Sequence, residues 1–129
     1  EVFIKGLADD GGLFIDNNIG IGHVRLSIID RSSAGHQPMI LEEDGLVLVF
    51  NGEIYNYLEL RDELVSMDID FVTSSDTEVV LNLYKYFGPE HALAKIEGMF
   101  SFGIWDKIDK VKLRIFLFCS GPQRLRIFI

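Results

Sequence analysis

Five consecutive apolar residues, Leu46-Val47-Leu48-Val49-Phe50, give way at once to Asn51-Gly52-Glu53-Ile54-Tyr55-Asn56. The apolar run reads as a strand, and the polar residues that follow it sit at the strand's mouth. A strand that stops in Asn-Gly usually turns back as a hairpin, because both residues tolerate positive φ. Here a helical pattern follows instead. Residues Asn56 to Met67 carry Tyr57, Leu60 and Leu64 on one face and Glu59, Arg61, Asp62 and Glu63 elsewhere. Asn56 is the expected N-cap, with Glu59 in the reciprocal place of a capping box. A strand-loop-helix junction of this kind can offer a side-chain amide and a free backbone N–H at one point, the requirement for holding an oxyanion during acyl transfer. A plain loop built of turn residues is the other reading.

The rest of the chain limits what can surround that junction. Its 129 residues are 48% hydrophobic and 12% aromatic, enough for one compact domain with a core. A formal net charge of −8 argues against a nucleic-acid groove or an anionic membrane surface. Lys107, Lys110, Lys112, Arg114, Arg124 and Arg126 hold half of the 12 Lys and Arg residues, so everything before Lys107 is markedly acidic. A single cysteine, Cys119, excludes an internal disulfide framework and favours a reducing, cytoplasmic setting. Neither a leader pattern nor an apolar run of membrane-spanning length is expected from these residues.

Leu13-Phe14-Ile15 and Ile19 to Ile28 read as strands of a hairpin joined by Asp16-Asn17-Asn18. Ile29 to Met39 reads as an ordered loop, and Asp44-Gly45 as the turn into the apolar strand. Ile69 to Val72 is a candidate short strand. Ser75-Asp76-Thr77-Glu78 has the form of a second capping box, opening a helix that buries Val79, Val80, Leu83 and Phe87 and stops at Gly88-Pro89. Pro89 then opens a short third helix reaching Ile96. Met99 to Trp105 and Val111 to Phe118 read as strands joined by a turn at Asp106 to Lys110. Leading strands, central helices and returning strands favour an α+β fold of antiparallel sheet layers with helices packed outside.

Several residues invite chemistry. Gly20-Ile21-Gly22-His23 lacks the third glycine and following helix of a dinucleotide site, and nucleotide binding there is rejected. Arg25 could clamp a carboxylate through its planar fork or simply be solvated. Asp76 could receive an ammonium group or merely offset the helix macrodipole. His23, His36 and His91 have no metal-ligand spacing, so no metal site is expected. Cys119, after Phe116-Leu117-Phe118, reads as a small core residue rather than a nucleophile.

Together these segments resemble the glutamine amidotransferase domain of glutamine-hydrolysing asparagine synthetases, a class II amidotransferase of the N-terminal-nucleophile (Ntn) hydrolase superfamily. The resemblance is carried by Gly22-His23-Val24-Arg25-Leu26-Ser27-Ile28-Ile29-Asp30, Ser33-Ala34-Gly35-His36-Gln37-Pro38-Met39, Asn51 to Asn56, Ser75-Asp76-Thr77-Glu78 and Gly98 to Asp106. It covers about Asp9 to Asp106 of a single partial domain over 1–129, with a divergent tail over 111–129. It implies an αββα sandwich, incomplete at both ends. It also implies that Arg25 binds the α-carboxylate of glutamine, with Leu26, Ser27, Ile28 and Ile29 shaping the pocket wall. Asp76 would receive the α-amino group, Asn51 and Gly52 would form the oxyanion hole, and Glu53 would line the pocket. The three weak readings of Arg25, Asn51-Gly52 and Asp76 then reinforce one another, since an amino acid needs one cation, one anion and a polarising site for its amide.

Two departures accompany the resemblance. The family's nucleophile is a first-residue cysteine whose own α-amino group acts as base, whereas this sequence starts with Glu1 and carries only a blurred Lys5-Gly6-Leu7-Ala8-Asp9-Asp10 where the family has Arg-Gly-Pro-Asp-Asp. The expectation is a glutaminase domain without turnover. Toward the other end, Phe118-Cys119-Ser120-Gly121-Pro122 replaces the family's Arg-Asp-Arg continuation, and a frameshift or rearrangement is expected. An intact reading frame with the same terminal residues in related strains would argue against that. No cofactor is expected in this chain. ATP and Mg²⁺ are implied only for a synthetase domain, carried as a separate domain or subunit. The rival readings are a glutamine-binding or regulatory module without chemistry, and an interaction remnant that uses the basic end from Arg114 to Ile129.

Overall fold

The structure is a computed structural model and describes residues 2–4, 13–16, 19–22, 37–108, 112–118 and 126–128, with side chains over 37–108. Eight strands and two helices follow in the order β1 Val2–Ile4, β2 Leu13–Asp16, β3 Ile19–Gly22, β4 Met39–Leu41, β5 Leu46–Ile54, α1 Tyr57–Val65, α2 Asp76–Lys95, β6 Gly98–Asp106, β7 Lys112–Phe118 and β8 Arg126–Phe128. A five-stranded, wholly antiparallel sheet runs β4-β5-β6-β7-β8, and a three-stranded sheet runs β1-β3-β2. In the smaller sheet β2 and β3 form the expected antiparallel hairpin, while β1 joins β3 in parallel.

The β5–β6 pair organises the large sheet. Nine residues of each strand face one another, from Leu46↔Asp106 to Ile54↔Gly98. Side chains alternate between faces, so Leu46, Leu48, Phe50 and Ile54 share one face with Phe100, Phe102 and Ile104. The helices cover this face, and Leu60, Leu64, Val79, Val80, Leu81 and Leu83 join the same buried cluster. Its three phenylalanines, Phe50, Phe100 and Phe102, stand with ring centroids 5.6 to 6.3 Å apart. Val47, Val49 and Trp105 lie on the opposite face, outside that cluster, and are buried as well. Burial on both faces accounts for the unbroken apolar run in β5.

Both helices keep the expected boundaries at their cores and differ in their caps. Asn56 stands at the N-cap of α1 without a side-chain cap bond. Its Nδ2 donates to the Lys95 carbonyl and its Oδ1 accepts from the Glu97 N–H, both at 2.9 Å. A carboxamide satisfies an acceptor and a donor at once, and the α2–β6 junction presents both. The second capping box forms by half. Ser75 Oγ accepts from the Thr77 N–H at 3.1 Å, but Glu78 turns to the Val72 and Thr73 N–H groups and the Thr73 hydroxyl at 2.6 to 2.8 Å. The expected strand at Ile69 to Val72 is absent: the Ile69 N–H donates to the Leu64 carbonyl at 3.2 Å and the Val72 N–H to the Glu78 carboxylate, not to a neighbouring strand. Gly88, at φ +77°, breaks α2 where Gly88-Pro89 predicts a stop, and helix resumes to Lys95. The stretch read as loop up to Met39 ends in β4, which pairs with Leu46–Leu48 across the Asp44-Gly45 turn.

Candidate active site

Asn51-Gly52-Glu53 is strand rather than loop. All three residues pair with β6, opposite Ser101, Phe100 and Met99, and β5 continues to Ile54. Local turn chemistry predicts a break after Phe50; nine ladder positions override it. Phe50 and Ile54, four residues apart, both lie in the core, so the alternation runs unbroken through the polar residues. Asn51 and Glu53 consequently occupy the face of Val47 and Val49, and here that face is exposed.

Gly52 is needed for its backbone. It adopts φ +129°, and a Cβ there would run into the Met99 carbonyl oxygen and lie 2.5 Å from Phe100 Cα. Gly98, opposite Ile54, has a matching constraint, since a Cβ would run into the Glu53 carbonyl oxygen. Two glycines thus let β5 and β6 approach closely at this end.

Asp76, the first residue of α2, reaches the same end of β5. It is 5% exposed, and its Oδ2 accepts the Ile54 N–H at 3.1 Å. Its carboxylate therefore ties helix to strand besides facing the helix N-terminus. Gln37 occupies the matching place four residues back, where its Oε1 accepts the Phe50 N–H at 2.6 Å. Its Nε2 donates to Thr77 Oγ1 at 3.3 Å. Sequence reasoning quotes Gln37 only as part of a motif and gives it no role. A glutamine next to a proline in a polar loop carries no signal of burial, yet this one is 4% exposed.

The structure brings together Asn51, Gly52, Glu53 and Asp76 at one end of β5. Arg25, Leu26, Ser27, Ile28 and Ile29 lie outside the described residues, as do His23, His36 and Cys119. Two clefts among the described residues lie at the other end of the strand. One of about 450 Å³ is lined by Asp44, Leu46, Tyr84, Lys85, Pro89 and Asp106, and one of about 250 Å³ by Ile40, Glu42, Gly45, Val47 and Lys107. In the larger cleft Lys85 Nζ lies 2.8 Å from the Asp44 carboxylate, which raises the lysine pKa above its ordinary value through that hydrogen bond. No helix among the described residues is long and apolar enough to cross a membrane.

The antiparallel sheet with helices packed against one face is an α+β fold of the Ntn-hydrolase amidotransferase type. The fold matches the glutamine phosphoribosylpyrophosphate amidotransferase of B. subtilis, solved with ADP and GMP, at a TM-score of 0.58 and 26% identity over 76% of this chain and 22% of that one. The family model for the glutamine amidotransferase domain matches residues 5–116. The chain belongs to that family. It is 48% identical over 103 residues to asparagine synthetase (glutamine-hydrolyzing) 1 of Bacillus subtilis strain 168, covering 80% of this chain and 16% of that protein. To the putative asparagine synthetase (glutamine-hydrolyzing) 2 of Methanocaldococcus jannaschii it is 41% identical, over 89% of this chain and 24% of that protein. The chain thus spans less than a quarter of the length of these relatives.

Proposed function

We propose that this chain forms the glutamine-binding, oxyanion-holding part of a glutaminase domain of the asparagine synthetase type. The observation that carries the proposal is the end of β5. A glycine fixed at positive φ, a neighbouring carboxamide on the exposed face and a buried carboxylate meet there within four strand positions. Gly52 N–H and the Asn51 side chain would polarise the γ-carboxamide of glutamine, Asp76 would receive its ammonium group and Glu53 would line the pocket. Arg25, with Leu26 to Ile29, would hold the α-carboxylate. In a longer protein, ammonia released at such a site would pass to an ATP- and Mg²⁺-dependent synthetase part that acts on aspartate.

Preorganised donors lower the barrier to acyl transfer only when a nucleophile attacks. The single thiol of the sequence, Cys119, follows an apolar strand. The 129-residue polypeptide is therefore expected to bind glutamine and release no glutamate, and detection of glutamate above a blank would reject that part of the reading. Calorimetry with L-glutamine tests the pocket. Asp76→Asn keeps an oxygen for the Ile54 N–H and removes the charge, so saturable binding by the wild type should weaken by about tenfold or more in the variant. A wild type that shows no binding at millimolar glutamine would sink the proposal.

A further inference from the structure

The edge of β5 that faces away from β6 loses its strand partner early, because β4 pairs only as far as Met39↔Leu48. In an antiparallel strand every second N–H points to the same edge, so the groups of Phe50, Gly52 and Ile54 form one row. A buried N–H in such a row needs a partner. Gln37 Oε1 holds the first and Asp76 Oδ2 the third. Both holders are tied to the start of α2: Asp76 opens that helix, and Gln37, which precedes β4, donates to the hydroxyl of Thr77, which is 1% exposed. No described side chain meets the Gly52 N–H between them.

We infer that Gln37 is a positioning residue, whose carboxamide fixes the Phe50 end of this row so that the Gly52 N–H is presented to the γ-carbonyl of bound glutamine. The inference rests on the glutamine reading above and adds a residue to it. An uncharged carboxamide suits the place, because it accepts from the strand and donates to the helix without burying a charge. Gln37 touches no substrate in this scheme. Removing it leaves two adjacent N–H groups on the edge without a side-chain partner among the described residues. The direction of the Gly52 N–H, on the residue type with the widest φ/ψ freedom, is then set by water rather than by α2.

Two ligands separate positioning from plain support of the fold. L-norvaline carries the α-ammonium and α-carboxylate of glutamine but no side-chain carbonyl. Calorimetry on the 129-residue chain should show Gln37→Ala lowering glutamine affinity about tenfold, the scale of one misaligned hydrogen bond, while norvaline affinity stays within about twofold. Gln37→Glu keeps an acceptor for Phe50 at the cost of a buried charge, so it should restore part of the glutamine affinity and not the whole. Equal losses for both ligands, or an unchanged glutamine affinity, overturn the inference and leave the pocket standing. A wild type that binds neither ligand overturns both. Should Gln37→Ala not fold, amide exchange in the wild type decides. The Phe50 and Ile54 amides should exchange slowly and Gly52 fast, with Gly52 shifted by glutamine and not by norvaline; fast exchange at Phe50 overturns the inference.

Discussion

The two ends of β5 share one ladder and one covered face, yet they do opposite work. At the Leu46 end both faces are closed, with Leu46 and Leu48 toward the helices and Val47 and Val49 buried on the other side. Toward the Ile54 end Phe50 and Ile54 stay buried toward the helices, Gly52 is exposed, and Asn51 and Glu53 emerge on the opposite face. The first end is held by apolar area and tolerates ordinary side chains. The second is held by backbone approach and by single hydrogen bonds accepted by Gln37 and Asp76, and leaves no room for a side chain at Gly52 or Gly98. A strand anchored along its length can therefore present polar groups at its tip without losing register.

The sharpest way to break this contrast is Gly52→Ala. A Cβ there meets Met99 and Phe100 backbone at an unfavourable φ, so urea unfolding should show a loss of about 4 kcal/mol or more. Gly45→Ala, in the turn at the other end, meets only side-chain atoms of Lys107 and Ile108 at 3.1 Å and beyond, and should cost about 1 kcal/mol. Equal costs would erase the distinction between the ends. Leu48→Ala empties a fully buried position and should cost about 3 kcal/mol by the same measurement. Asn56→Ala leaves the Lys95 carbonyl and the Glu97 N–H unpaired at the site end, for about 1–2 kcal/mol. The smallest effect belongs to Lys85→Met at the cleft end, below about 1 kcal/mol for a partly exposed ion pair. Its pH dependence has a definite sign. The folded pKa of Lys85 is raised, so its contribution is complete below the ordinary value of 10.5 and is lost as pH climbs through the higher folded value. Wild type and variant should accordingly converge in thermal stability above that range and differ below it.

Much of the fold is legible from residue pattern. The apolar run of β5, the hairpin of β2 and β3, the faces of both helices and the break at Gly88-Pro89 follow from periodicity and punctuation. Hydrogen-bond destinations are not legible. Asn56 and Glu78 have the spacing of capping residues, yet Asn56 bonds the distant α2–β6 junction and Glu78 the Val72-Thr73 turn just ahead of its helix. The Ile69 to Val72 stretch has strand composition but no strand beside it. At the site, Asn51, Gly52, Glu53 and Asp76 stand out in the sequence, whereas Gln37, Thr77 and Gly98 do not, since nothing local says which strand edge or backbone they will meet.

By itself the sequence determined what must be buried and where the chain must bend, because hydrophobic period and glycine or proline conformation are properties of neighbouring residues. It also determined the family. The tertiary structure decided that Asn51-Gly52-Glu53 is strand, that its edge is held at Phe50 and Ile54, and that both holders are tied to the first turn of α2, Asp76 by position and Gln37 through Thr77. Those facts depend on contacts between residues 13 to 50 positions apart, and such contacts exist only once β6 lies beside β5 and α2 packs across it.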